Sequence, residues 1–319
     1  MQHREGVDQL AVTYRDRNGR WARGFLTLPH EHDLGAPLTP SALPSDAQPG
    51  VVTGGFTDWH VHLHLIDAGQ LIGSPIVRVH DLGGVPAELQ RIADTDTDTH
   101  APPHVTPHTQ VLHAGAFLTP PGGYPSDREW APAGSFREVA SEADAPVAVD
   151  EMRRSGASAI KVASNVEAGP VFDDAVFGAV VAASRAAGLP VVAHAEGPGE
   201  ALRVARLGAQ ILAHAPFSEL LNDNELTELA ATTTWISTLD IHGWGEGGRE
   251  HEIAVANIAG FVRHGGRLRY GTDMGNGPTV TGLNERELAS LKAAGLSTEQ
   301  MLDVLTPLDP LSPNTQLLW

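Results

Sequence analysis

Hydrophobic and polar positions follow two rhythms along this chain, and the change comes near residue 51. Before it, Gln9 to Tyr14 and Arg20 to Leu28 alternate apolar and polar side chains, with Arg17-Asn18-Gly19 between them. That period puts one face of a strand against a core, and the pair predicts a small hairpin. Residues 29–50 are rich in Pro, Asp and His and read as an irregular connection. From residue 51, short β-branched runs alternate with Ala-rich stretches of helical period. Strands are predicted near 56–62, 75–81, 108–116, 158–163, 189–194, 209–214, 233–238 and 267–272. Helices are predicted near 84–93, 145–156, 174–187, 198–207, 223–231, 251–264 and 283–294. A further short helix fits 297–305, where Ser297 is the N-cap and Gln300 its capping-box partner. Leu65 to Gly73 is too short for a full helix. The stretches Asp94 to Gln110, with its Asp-Thr repeat, and Thr119 to Phe136 read as surface loops. Eight strands followed mostly by helices predict an α/β protein, a (β/α)8 TIM barrel and not an open sheet. The division expected is a β-rich accessory segment and linker over 1–50, the barrel over 51–310 and a C-terminal tail over 311–319.

Composition changes this picture at four points. The length of 319 residues suits one barrel with a small appendage. The absence of Cys removes disulfides and thiolate ligands, so a metal here must use His, carboxylate or something unusual. A formal net charge of -18 argues against nucleic acid or an anionic membrane as partner and leaves a small molecule as the expected one. No apolar run approaches the roughly 20 residues that span a bilayer, and no apolar stretch follows Met1-Gln2-His3-Arg4-Glu5, so a cytoplasmic location without signal peptide is expected. A homo-oligomer stays open.

The candidate chemistry begins at Gly55-Phe56-Thr57-Asp58-Trp59-His60-Val61-His62. Side chains alternate along a strand, so His60 and His62 point to one face, and two neutral imidazoles on one spot are half of a metal site. A chain with 16 His also contains such a triplet by chance. In a barrel the active site lies at the C-terminal strand ends, and those ends carry more of the same. Strand four carries Lys161, strand five ends in His194, strand six in His214 and strand eight in Asp273. Any one of these has a structural explanation, a buried satisfied His or a capping Asp; six at the right ends of five strands are a far weaker coincidence. Lys161 and Lys292 are the only lysines among 21 basic residues. An ammonium cannot ligate a metal. Lys161 is therefore either an ion-pair partner, for instance of Asp273, or a lysine carboxylated by CO2, which Arg cannot become.

The order HxH, Lys, His, His, Asp on strands one, four, five, six and eight resembles the amidohydrolase superfamily in its binuclear form, over residues 51 to 310. Arg78-Val79-His80-Asp81-Leu82-Gly83-Gly84, Ala116-Phe117-Leu118-Thr119-Pro120-Pro121-Gly122-Gly123-Tyr124, Ala193-His194-Ala195-Glu196-Gly197 and Gly271-Thr272-Asp273 are similar to its imidazolonepropionase-like and prolidase-like branch. The accessory β-domain usual in that family is expected to be reduced here, and Thr306-Pro307-Leu308-Asp309-Pro310 replaces the usual turn.

The resemblance implies two divalent metal ions, with Zn first and Mn or Fe as substitutes. It implies that His60, His62 and Asp273 hold one, that His194 and His214 hold the other, and that carboxylated Lys161 bridges them. A metal-bridging hydroxide would attack a carbonyl, with Asp273 carrying the proton to the leaving group. The activity implied is hydrolysis of an amide C–N bond in an N-acyl amino acid, dipeptide or cyclic amide. The alternatives are a lactone or ester hydrolase on the same centre, or a degenerate metal-binding member without activity. The one-metal deaminases of the superfamily lack the bridging lysine, and Lys161 argues against that reading. Tyr124 and His242, on the loops after strands three and seven, are candidate substrate contacts. His64, His80 and His113 are read as core or supporting groups.

Overall fold

The structure, a computed structural model, describes residues 9–15, 21–27, 50–53, 56–72, 74–95, 109–306 and 316–318. The expected turn at Arg17-Asn18-Gly19, nearly all of the 29–50 connection, most of the Asp94–Gln110 loop and the turn beyond Thr306 lie outside these residues. The chain forms two compact units, one of Met1–Phe56 with Leu305–Trp319 and one of Thr57–Val304.

The first unit holds a four-stranded sheet. Strands β1 (Gln9–Arg15) and β2 (Trp21–Thr27) pair antiparallel, as a hairpin requires, with Gln9 opposite Thr27 and Arg15 opposite Trp21. Strand β3 (Gly50–Thr53) runs parallel to β1, and β14 (Gln316–Leu318) pairs antiparallel with β3, giving the order β14-β3-β1-β2. Gly50–Thr53, assigned by its apolar run to the start of the barrel, thus belongs to this sheet. So does the end of the expected tail. Both are too short to reveal a partner some 260 positions away.

The second unit is built from parallel strands β4 (Phe56–Val61), β5 (Ile76–Asp81), β6 (Gln110–His113), β7 (Phe117–Thr119), β8 (Phe136–Glu138), β9 (Ile160–Asn165), β10 (Val191–Glu196), β11 (Ile211–Leu212), β12 (Thr234–Ile236) and β13 (Arg267–Arg269). They form the runs β4-β5-β6 and β13-β12-β11-β10-β9-β7-β8. Backbone hydrogen bonds join the two runs into a barrel. Trp59 N donates to Tyr270 O at 3.0 Å and His62 N to Met274 O at 2.7 Å, which ties β4 to the segment after β13. On the other side Ser158 N donates to His113 O at 2.8 Å. The third strand, predicted as one run over 108–116, is broken into β6 and β7 around Gly115. This glycine has φ 73°, and a Cβ there would stand 2.7 Å from Met152 Sδ. β8 lies at the edge of the stretch expected as a loop over 119–136.

The helices are α1 (Pro86–Thr95), α2 (Ala145–Arg154), α3 (Asp174–Ala186), α4 (Glu200–Arg206), α5 (Asp223–Thr232), α6 (Arg249–Arg263), α7 (Glu285–Ala293) and α8 (Thr298–Leu305). Each begins and ends within a few residues of its predicted range because its signals are local. In α2, Ala145, Ala148, Val149 and Met152 are the buried positions, the i, i+3, i+4, i+7 stripe of a helix laid on a sheet. Asn222 closes a capping box with Glu225 at α5. At α8, Gln300 N donates to Ser297 Oγ and Ser297 N to Gln300 Oε1, as the sequence predicts. Leu82, Ala114, Ala159, Val192, Ala213 and Ile236, one from each of six successive barrel segments, pack into a buried cluster. Above it stands the polar end of the barrel. Among the described residues no helix is long and apolar enough to cross a membrane.

Candidate metal centre

His60 lies in β4 and His62 just past it, Lys161 lies in β9, His194 in β10, His214 just past β11 and Asp273 in the segment after β13. All six are buried, and all line one cavity of about 400 Å³. The donor atoms of His60, His214 and Asp273 lie within 4.8 Å of one another.

Hydrogen bonds fix which ring nitrogens are free. His60 Nδ1 lies 2.8 Å from Ala213 O and His62 Nδ1 3.0 Å from Gly83 O. A carbonyl only accepts, so both Nδ1 atoms carry the proton and both Nε2 atoms keep a lone pair. Those lone pairs face Asp273 Oδ1 at 3.2 Å and 3.1 Å, and this buried oxygen has no hydrogen-bond partner. Two imidazole lone pairs, that of His60 with Lys161 Nζ at 3.4 Å, and an unpartnered carboxylate oxygen at this spacing repel one another unless a proton or a cation lies between them. The set therefore fits a divalent metal ion. His214 Nδ1 pairs with Thr238 Oγ1 at 2.9 Å, leaving Nε2. His194 Nε2 is held by Glu196 Oε2 at 3.0 Å, leaving Nδ1, and its ring stands perpendicular to that of His214 at 4.9 Å.

Burial pushes the imidazoles of His60 and His214 well below their usual range, so both are neutral. For His62 burial acts downward, but the facing Asp273 carboxylate outweighs it and moves the group up, since a proton on Nε2 would relieve the contact of two acceptors. Burial pushes the Asp273 carboxyl upward, yet His60 and His62 hold it well below the carboxylate range. Burial lowers the Lys161 amine to about 7, against the pull of Asp273 and Asp81. Its Nζ lies 3.4 Å from His60 Nε2 and 5.6 Å from the centre of the Phe117 ring. Among the described residues no carboxylate lies within ion-pair distance of it, so the ion pair with Asp273 considered from the sequence is not formed.

The backbone is strained at the site. Asp273 and Thr238, with φ 53° and 44°, are in the left-handed region that non-glycine residues rarely adopt. Asn276 holds Asp273 there, its N donating to Asp273 O and its Nδ2 to Oδ2, both at 2.9 Å. Two further carboxylates, not singled out from the sequence, brace the centre. Asp58 accepts from His60 N, Thr272 N and Thr272 Oγ1, tying β4 to the segment after β13. Asp81 accepts from Leu63 N and Gly83 N, holding the carbonyl that orients His62.

Tyr124 and His242 also line the cavity. The Tyr124 ring stacks on His194 at 5.3 Å. His242 packs 4.3 Å from Phe217, and burial pushes its imidazole down to about 4. His64, His80 and His113 do not line the cavity: His80 stacks on Trp59 at 4.0 Å and His113 Nε2 pairs with Gln90 at 3.1 Å. Glu196, Trp130, Phe217, Trp244 and Glu250 line it without having been picked out from the sequence. For Glu196 a signal existed, since it stands two residues after His194 on the same strand face.

No family model matches the sequence, and no curated protein matches it. Solved structures do. A Xaa-Pro dipeptidase with methionine bound in its active site is 15% identical, with a TM-score of 0.70 over 93% of this chain and 87% of its own. Ochratoxinase from A. niger is 13% identical, with a TM-score of 0.68 over 96% and 85%. This chain has the amidohydrolase fold. Phenylurea hydrolase B shares it too, at 14% identity and a TM-score of 0.64 over 96% and 87% of the two chains. In the amidohydrolase barrel of this chain, every residue of the HxH, Lys, His, His, Asp order reaches the same cavity.

Proposed function

We propose that the chain is a metal-dependent hydrolase that cleaves an amide C–N bond of a small molecule. The observation that carries this is the convergence of the Nε2 atoms of His60 and His62 on the unpartnered Asp273 Oδ1, beside His194, His214 and Lys161. His60, His62 and Asp273 would hold one divalent ion, and His194 and His214 a second. The nitrogen and oxygen donors suit Zn, with Mn or Fe as substitutes. Two such ions, when bound, polarise a carbonyl and lower the pKa of water.

Lys161 has the chemistry for a bridge. Its amine is partly neutral near pH 7, so the Nζ lone pair can attack CO2, forming an N–C bond and losing a proton to water. The product is an anionic carbamate with two oxygens. Asp273 handles the reaction's proton. Its Oδ2, steadied by Asn276 Nδ2, takes the proton released by the attacking water and delivers it to the leaving nitrogen. Likeness to a dipeptidase and a phenylurea hydrolase favours the C–N bond over an ester.

Elemental analysis of the purified protein and of Lys161→Ala tests the centre. About two transition-metal ions per chain are expected, falling sharply in the variant. Full metal content without Lys161 would overturn the bridge. Asp273→Asn should abolish turnover of N-acyl amino acids and dipeptides; unchanged turnover would remove Asp273 as the proton carrier.

A further inference from the structure

Two segments of the cavity wall meet beside Asp273. One follows β12 and carries Trp244; the other follows β13 and carries Asp273, Asn276 and Gly277; all four residues line the cavity. Trp244 stands in the run Gly243-Trp244-Gly245-Glu246-Gly247-Gly248, whose four glycines all have positive φ. Trp244 itself has φ 46°, in the region that a bulky residue enters only where its surroundings hold it. The residue is 39% exposed, so burial alone does not anchor it. Specific contacts do. Its backbone N donates to Asp240 O at 2.7 Å and its Nε1 to Asn276 O at 3.2 Å. The ring rests on Gly277, where a Cβ would stand 2.4 Å from Trp244 Cζ2. Only glycine leaves room for the indole there.

The contacts pass on to Asp273. Asn276, whose carbonyl receives the indole N–H, donates its own N to Asp273 O and its Nδ2 to Asp273 Oδ2, both at 2.9 Å. Trp244 and Asp273, two left-handed residues on different segments, are thus joined through one asparagine. Arg286, which does not line the cavity, braces the joint from behind. Its Nε and Nη2 donate to the two oxygens of buried Asp240 at 2.8 Å, and Nη2 reaches Pro278 O at 3.3 Å. One planar guanidinium therefore ties the segment of Trp244 to the segment of Asn276, a geometry that lysine cannot reproduce. A Trp that served only as cavity wall would need neither the bond to Asn276 nor the gap at Gly277.

We infer that Trp244 is a positioning residue for the reaction: its indole N–H fixes the Asn276 peptide, and Asn276 in turn holds Asp273 Oδ2 where it takes up and delivers the proton. The proton step stays with Asp273, and Trp244 acts on it only through Asn276. As a statement about catalysis this rests on the hydrolase reading; as a statement about the contact from Trp244 through Asn276 to Asp273 it does not.

Trp244→Phe keeps a ring on Gly277 and removes only the N–H. The test uses the metal-loaded enzyme and the fastest-hydrolysed of a set of N-acyl amino acids and dipeptides. In Trp244→Phe kcat should fall about two- to tenfold, the weight of one hydrogen bond, while KM stays within about twofold. Asn276→Ala should lower kcat about tenfold or more. Adding Trp244→Phe to it should cost less than about twofold further, because the link is already cut. Deuterium exchange of the backbone at 274–277, followed by mass spectrometry, reads the contact without turnover. It should be about threefold faster or more in Trp244→Phe than in wild type. Unchanged kcat in Trp244→Phe, or a fall by the same factor in the Asn276→Ala background, would overturn the inference. So would a rise in KM alone, which would make Trp244 a wall contact. Unchanged exchange would overturn the contact itself. Faster exchange in a variant whose wild type hydrolyses no amide would uphold the contact and overturn the hydrolase reading instead.

Discussion

Glu287, in α7, is fully buried, and its Oε2 accepts from Asp240 N at 2.8 Å. Burial pushes its carboxyl up to about 7, although hydrogen bonds from Ser237 and from the backbone at 239 and 240 pull it down. A folded-state pKa above the unfolded one means that the folded chain binds the proton more tightly. The stability it contributes is complete below about 4.3, the unfolded value, and is lost as pH rises through 7. Glu287→Gln stays neutral throughout. Relative to wild type, the variant should gain roughly 2–3 kcal/mol between pH 5 and pH 8. Urea unfolding at the two pH values measures this, and parallel behaviour of the two proteins would refute it. Glu287 was not legible as a special residue in the sequence, for the same reason that Asp58 and Asp81 were not. Each is defined by what encloses it, and Asp58 finds its partner Thr272 across 214 positions of chain. The six candidate residues that reach one cavity were legible because their identity and their place at or near strand ends are both local.

The seam where β4 meets the segment after β13 depends on a glycine. A Cβ at Gly271 would stand 2.2 Å from Ile236 Cγ2, 3.2 Å from His60 N and 3.3 Å from His60 Cβ. The backbone conformation is not at issue there; space is. Gly271→Ala must push β12 or β4 outward, an overpacking that costs about 1–3 kcal/mol. Because His60 is one of the atoms displaced, metal affinity should fall along with the melting temperature. A variant with unchanged melting temperature and full metal content would show that the seam gives way freely. At this scale helices were read well, since caps and apolar stripes lie within each segment. Strands were read less well. β6 and β7 were merged because alternation does not reveal the turn forced at Gly115. β8 is only three residues long and carries too few alternations to register. The strands that carry the candidate metal site were found because buried parallel strands are dense β-branched runs. β3 and β14 were misassigned because their pairing is with distant chain.

Charge acts over the whole molecule. With 39 acidic residues against 21 Lys and Arg, the net charge of -18 surrounds every approaching ligand with a negative potential. The potential opposes anions whatever the local site prefers, and it concentrates cations near the surface of the protein. Steering of this kind is screened with a Debye length of about 10 Å at 0.1 M salt, whereas contacts inside the cavity are screened much less. The two contributions are therefore separable. Raising ionic strength from about 0.02 M to about 0.3 M should lower kcat/KM severalfold for a cationic amide substrate through its association step, leave a neutral amide of the same length unchanged and raise that of an anionic one. If the preference for the cation vanished with salt, selection would belong to the general field of an acidic protein. If it survived, selection would belong to contacts inside the cavity.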